Sequence, residues 1–187
     1  MTLENELINL EKKKNSLQKK DKDLIISDFD DTIFSRTEQL HHSKDLRENR
    51  WRAWDKVVLE IIWIEKYGEL YYKNKKYNNI ISSKLRLWHD VIITAWNEKI
   101  QKVKLTHTWL INHNYIVVDD SFKKIYETIN YVINSLWFIP NKITVFEDRP
   151  NHFIKHKKLI EDFLWTKLEI MLVEMNWNED NPKITKI

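Results

Sequence analysis

Asp28, Asp30, Asp31 and Thr32 follow directly on an apolar run, Leu24-Ile25-Ile26-Ser27, and this is where the chain has most obviously gathered groups that could do chemistry. Side chains alternate along a strand, so Asp28 and Asp30 are expected on one side and Asp31 on the other. Two acids held close together repel unless a proton or a cation lies between them. A hard divalent cation bound through oxygen, Mg²⁺ foremost, meets that need. A lone Asp after a strand reads as a turn or helix-cap residue. The complete pattern, an apolar strand and then Asp-x-Asp-x-Thr, reads instead as a catalytic site at the carboxyl end of a buried parallel strand.

With Asp28, Asp30 and Thr32 in these places, the chain resembles the haloacid dehalogenase-like (HAD) superfamily of phosphatases and phosphotransferases, whose first motif is a hydrophobic strand followed by Asp-x-Asp-x-Thr/Val. The resemblance implies Asp28 as the nucleophile that forms an aspartyl-phosphate, and Asp30 as the acid and base that serves the leaving group and then water. It also implies Mg²⁺ held by the Asp28 carboxylate and the Asp30 backbone carbonyl. Thr94, at the end of a second apolar strand, matches the hydroxyl that the family aims at the phosphoryl group. Lys123 and Lys124 both stand where the family places its phosphate-neutralising lysine, and the sequence does not separate them. Glu147 and Asp148 fill the place of the metal-binding acids after a later strand. Arg149 follows as in the acid-Asp-Arg variant of polynucleotide-end phosphatases, either holding a substrate phosphate or pairing with a nearby acid. His152 is read as structural. Thr32, Thr94, Lys123, Lys124 and Arg149 then form the expected substrate-binding set.

These residues need a scaffold, and 187 residues suffice for one domain with a full core and a small insertion. A net charge of +3 with 32% charged residues does not by itself imply nucleic acid. There is no cysteine, which excludes disulfides and thiolate metal sites. With no long apolar run and no signal-peptide pattern, a cytoplasmic protein with no membrane association is expected.

The strand and helix patterns alternate after residue 88. Val91–Thr94, Tyr115–Val118, Ile143–Phe146 and Leu168–Val173 read as strands, and helices are expected between them, carrying Ile125, Ile129, Val132 and Ile133 in one case and Phe153, Leu159, Ile160, Phe163 and Leu164 in another. The expected fold is α/β: a three-layer α/β/α Rossmann-like sandwich with a mainly parallel five-stranded sheet and a small helical cap. The divisions are a charged helix over 1–22, a core of 23–35 and 89–187, and a helical cap insertion over 36–88. The resemblance implies that the first strand is central with the fourth beside it, which would bring Glu147 and Asp148 next to Asp28 and Asp30.

One glycine against nine tryptophans is a strange balance, since average usage puts glycine near 7%. A tight strand-to-helix turn at Thr94-Ala95-Trp96-Asn97 and the helix stops before Trp109 and Trp137 are all places that suit glycine. Either these are true tryptophans of a core or a stacking surface, or UGA codons that the host reads as glycine are written here as tryptophan.

The function expected is a Mg²⁺-dependent phosphohydrolase acting on a phosphorylated small molecule, with the substrate set by the cap. A nucleic-acid end phosphatase is the alternative, motivated by the pI of 8.8, Arg149 and the aromatic residues. A non-catalytic binding protein using Tyr67, Tyr71, Tyr72 and Tyr77 is another. The oligomeric state is not legible.

Overall fold

The structure, a computed structural model, describes residues 3–35, 76–175 and 181–187. The helices expected between 36 and 75, together with Tyr67, Tyr71 and Tyr72, lie outside the described residues.

Helix α1 (Leu3–Lys14) leads into β1 (Lys19–Ser27), whose first half is polar and exposed and whose second half is apolar and buried. The helix expected over 1–22 is therefore shorter, because the strand already begins in the charged stretch Lys19–Asp23. That stretch is carried by backbone pairing to a neighbour, from Lys19 opposite Ile139 to Ser27 opposite Phe146. A two-residue strand β2 (Phe34–Ser35) pairs antiparallel with β3 (Lys76–Tyr77), and a short helix α2 (Asn79–Ser82) follows. Then come β4 (Val91–Ala95), α3 (Glu98–His107), a 3₁₀ turn (Leu110–Asn112), β5 (Asn114–Val118) and α4 (Lys123–Ser135). The chain continues through β6 (Ile139–Glu147), α5 (Asn151–Leu164), β7 (Lys167–Glu174) and β8 (Lys183–Lys186).

The main sheet is mixed and six-stranded, in the order β5-β4-β1-β6-β7-β8. All its pairings are parallel except that of β8 with β7. The expectation of five strands is corrected by β8, whose Lys-Ile-Thr-Lys sequence has too few apolar residues to announce a strand and is held by register with Met171–Glu174. The expected neighbourhood of the first strand and the Ile143–Phe146 strand holds: β1 lies between β4 and β6.

Alternation along the strands divides the apolar residues between two clusters. Leu24, Ile26, Val91, Ile93, Val145 and Ile170 join Ile125, Ile129 and Val132 of α4, Phe153, Ile160 and Leu164 of α5, and Leu7 and Leu10 of α1. Ile92, Phe146 and Val173 join Leu105 of α3, Ile81, Leu85, Phe29, Ile33 and Phe34. Each fully buried Leu, Ile or Phe contributes about 1.5–3 kcal/mol, so both faces of the sheet anchor its rim.

Two polar devices fix the chain around the acids. Asp90, its side chain fully buried, accepts from the Ile25 N–H at 2.8 Å and from the Arg86 N–H and Nε at 2.8 Å, tying β1 to the turn before β4. Asn78 caps α2 by accepting from Ile80 and Ile81, and its Nδ2 donates to the Thr32 carbonyl at 3.1 Å. Its own N–H donates to the Ile33 carbonyl at 2.7 Å, so the chain after residue 75 is clamped to the loop after β1.

Candidate functional site: an acidic cluster around a buried lysine

Because β1 and β6 run parallel with Ser27 opposite Phe146, both strands end at the same rim, and the Asp28 N–H donates to the Phe146 carbonyl at 2.9 Å. Asp28, Glu147 and Asp148 thus meet, with ligand oxygens all within 4.8 Å of one another. Beyond Asp28 the chain turns sharply: the Ile33 and Phe34 N–H groups both donate to the Phe29 carbonyl, and Asp31 adopts φ 58°. Aspartate tolerates that left-handed conformation better than most residues. The Phe29 and Phe34 rings stack at 5.4 Å and hold the loop to the core.

Lys124, in the first turn of α4, places its Nζ 2.9 Å from Asp28 Oδ1 and 2.9 Å from Glu147 Oε2. Burial pulls its ammonium down, but Asp28 and Glu147 outweigh burial and leave it above its ordinary value. Glu147 is pushed well up by burial and by Asp28, against the pull of Lys124. Asp148 is raised to about 6, by burial first and then by Asp28. Asp28 and Glu147 share the buried Lys124, and the exposed Arg149 lies against Asp148. Oxygen donors at this spacing fit a hard divalent cation, and Asp28, Glu147 and Asp148 could hold one.

His152, in the first turn of α5, sets Nε2 3.7 Å from Glu147 Oε2. Burial, and then Lys124, lower its pKa to about 4, so at neutral pH the ring is uncharged and adds no positive charge to the cluster.

Asp30 lies outside this cluster. Its carboxylate accepts from Gln101 Nε2 at 2.6 Å and from Lys104 Nζ at 3.0 Å, and the Lys104 side chain is wholly buried. Neither α3 residue was anticipated from the sequence. Their spacing of three on a helix, one face and one direction, was the available signal. Among the described residues, the buried Thr32 and Thr94 hydroxyls meet no hydrogen-bond partner. Buried hydroxyls are ordinarily paired, and both belong to segments that leave the same rim, one after β1 and one at the end of the adjacent β4.

Of the two candidate lysines, the geometry brings Lys124 to the acids. Lys123 is exposed and pairs with Asp119 at 2.7 Å. Arg149 is exposed too, with Nε 3.2 Å from Asp148 Oδ2. Among the described residues no helix is long and apolar enough to cross a membrane.

Comparison with family models, with curated proteins and with solved structures finds no match.

Proposed function

We propose that the protein is a Mg²⁺-dependent phosphohydrolase of the HAD-like type, built on a Rossmann-like α/β/α sandwich and acting through an aspartyl-phosphate on Asp28. The observation that carries this reading is the convergence of a buried carboxylate on Lys124 with two further acids beside it. The unpartnered hydroxyls of Thr32 and Thr94 on the same rim add to it. Simple acid clusters at surface turns have neither a buried ammonium nor orphaned hydroxyls.

The substrate is a phosphate monoester. Thr32 and Thr94 donate their hydroxyls to its non-bridging oxygens, which supplies the partners they lack. Lys124 offsets negative charge on Asp28 and on the incoming phosphate. An Asp28 oxygen attacks phosphorus in line with the ester oxygen, the P–O ester bond breaks, and Asp30, which must first take up a proton from solvent, passes it to that oxygen. Asp30 then takes a proton from water as the water oxygen attacks phosphorus, which frees Asp28 and releases inorganic phosphate. Gln101 and Lys104 hold the Asp30 carboxylate in one orientation for both steps. Mg²⁺, held by Asp28 and Asp148 with Glu147 beside them, would neutralise the charge that lets a phosphate dianion approach a carboxylate.

The test is hydrolysis of p-nitrophenyl phosphate by the full chain with Mg²⁺ and with chelator, beside Asp28→Asn. Turnover that needs Mg²⁺ and disappears in Asp28→Asn is expected. Turnover that survives in Asp28→Asn would remove Asp28 from the nucleophile's place and overturn the reading.

A further inference from the structure

Backbone geometry singles out one residue type. Among the described residues, those other than glycine with positive φ are Asp31 and five tryptophans: Trp88 (64°), Trp96 (158°), Trp109 (62°), Trp137 (63°) and Trp165 (50°). These five are all the tryptophans that the described residues contain. Four of them are left-handed, a region that only a few per cent of non-glycine residues enter and that bulky side chains avoid. Four such placements among five tryptophans would arise by chance less than about once in a hundred thousand.

Their positions are those of glycine. Trp109 lies one residue beyond Thr108, the cap of α3, and Trp137 one beyond Leu136, the cap of α4. Trp165 itself caps α5, and the following Thr166 N–H reaches back to the Glu161 carbonyl at 3.3 Å. Three successive helices therefore stop as helices stop at a left-handed glycine. Trp88 turns the chain between Arg86 and Asp90, where the Asp90 N–H bonds the Arg86 carbonyl at 3.1 Å. Trp96 occupies the strand-to-helix turn after Thr94, with its N–H on the Val118 carbonyl at 2.9 Å.

Trp96 apart, the side chains give little in return. Trp88, Trp109 and Trp137 are 83%, 84% and 81% exposed. Trp165 makes one contact of note, with the Lys14 ammonium 4.3 Å from its ring. A large indole spread on solvent at a left-handed turn has strain without burial to offset it.

We infer that these five positions are glycines in the protein its host makes, and that a single codon read there as glycine is written here as tryptophan. UGA is the codon that genetic codes assign so differently. The rest of the chain then balances: the helices acquire their usual stops, the near-absence of glycine ends, and the turn after Thr94 becomes small enough for a phosphate to approach the rim. The inference stands on backbone geometry and does not depend on the proposed phosphatase activity.

Two measurements test it, and neither reads turnover. In thermal melts of the full chain, Trp→Gly at 88, 109, 137 and 165 is expected to raise the midpoint by roughly 2–4 °C per site. Trp→Ala at the same positions removes the exposed indole but keeps the Cβ, and it should gain clearly less. If the fourfold glycine variant melts no higher than the fourfold alanine variant, left-handed strain is not what the sites share and the inference falls. Peptide mass mapping of the protein isolated from its own host should then find glycine masses at all five positions. Tryptophan masses there would overturn the inference outright.

Discussion

The Lys124 ammonium lies 2.9 Å from Glu147 Oε2, and each of the two side chains is only 3% exposed. The same nitrogen is 2.9 Å from Asp28, so a single buried cation holds together the ends of two adjacent strands. Removing one partner of a buried ion pair leaves the others uncompensated. Lys124→Met should therefore destabilise the fold by about 3–5 kcal/mol as well as abolish any turnover that depends on Asp28. Lys123→Met, one residue earlier but exposed, should change stability by less than about 0.5 kcal/mol. Urea unfolding of the two variants side by side decides between them.

Asp148 should show opposite behaviour with and without a divalent cation. Its folded pKa of about 6 exceeds the ordinary 3.8, so its contribution to stability is complete below 3.8 and lost as pH rises through 6. At pH 7.5 in chelator, Asp148→Asn should accordingly raise stability by about 1–3 kcal/mol, and the gain should shrink as pH falls from 6 toward 4. With Mg²⁺ present the order reverses, because the variant has lost a ligand and gains less from the ion. For the unaltered chain, Mg²⁺ affinity measured by titration calorimetry should weaken as pH falls through about 6, with proton release on binding. His152, lowered to about 4, is neutral at pH 6 and so adds no proton release of its own to the calorimetric signal there.

Gln101 and Lys104 both donate to the Asp30 carboxylate. If they orient it for proton transfer, Gln101→Leu should lower kcat by roughly 10–100-fold with KM nearly unchanged. Lys104→Met should do the same and also cost stability, since it leaves Asp30 without its buried cation. Steady-state kinetics on p-nitrophenyl phosphate provides the split between kcat and KM. A raised KM with kcat unchanged would instead make them substrate-binding residues.

Much of this arrangement was legible because two periodicities carry it. Alternating or continuous apolar runs marked β4, β5, β6 and β7, and the spacing of Ile125, Ile129 and Val132 marked α4. The order of strands followed from the resemblance stated for Asp28, Asp30 and Thr32, and the observed register agrees with that order. Adjacent residues were harder. Lys123 and Lys124 look alike in sequence, and only the turn of α4, about 100° per residue, sends one to the acids and the other to solvent. The partners of Asp30 lie 71 and 74 positions away, and their spacing of three on α3 says that they share a face but not which acid that face meets. Charged Lys19–Lys22 looked helical for a related reason: its extended form is imposed by β6, not by its own side chains.

β8 runs against the other strands, spans Lys183–Lys186, and places a lysine at each of its ends. Lys186 reaches Glu169 at 2.7 Å and Lys183 reaches Glu174 at 3.2 Å. Without this ribbon the hydrogen-bonding groups of β7 would stand open along Met171–Glu174, a ready template on which another molecule could add a strand. A short antiparallel strand flanked by charge is a poor template in its turn. Among the described residues β8 thus ends the sheet on this side, and the parallel core offers no long bare edge there.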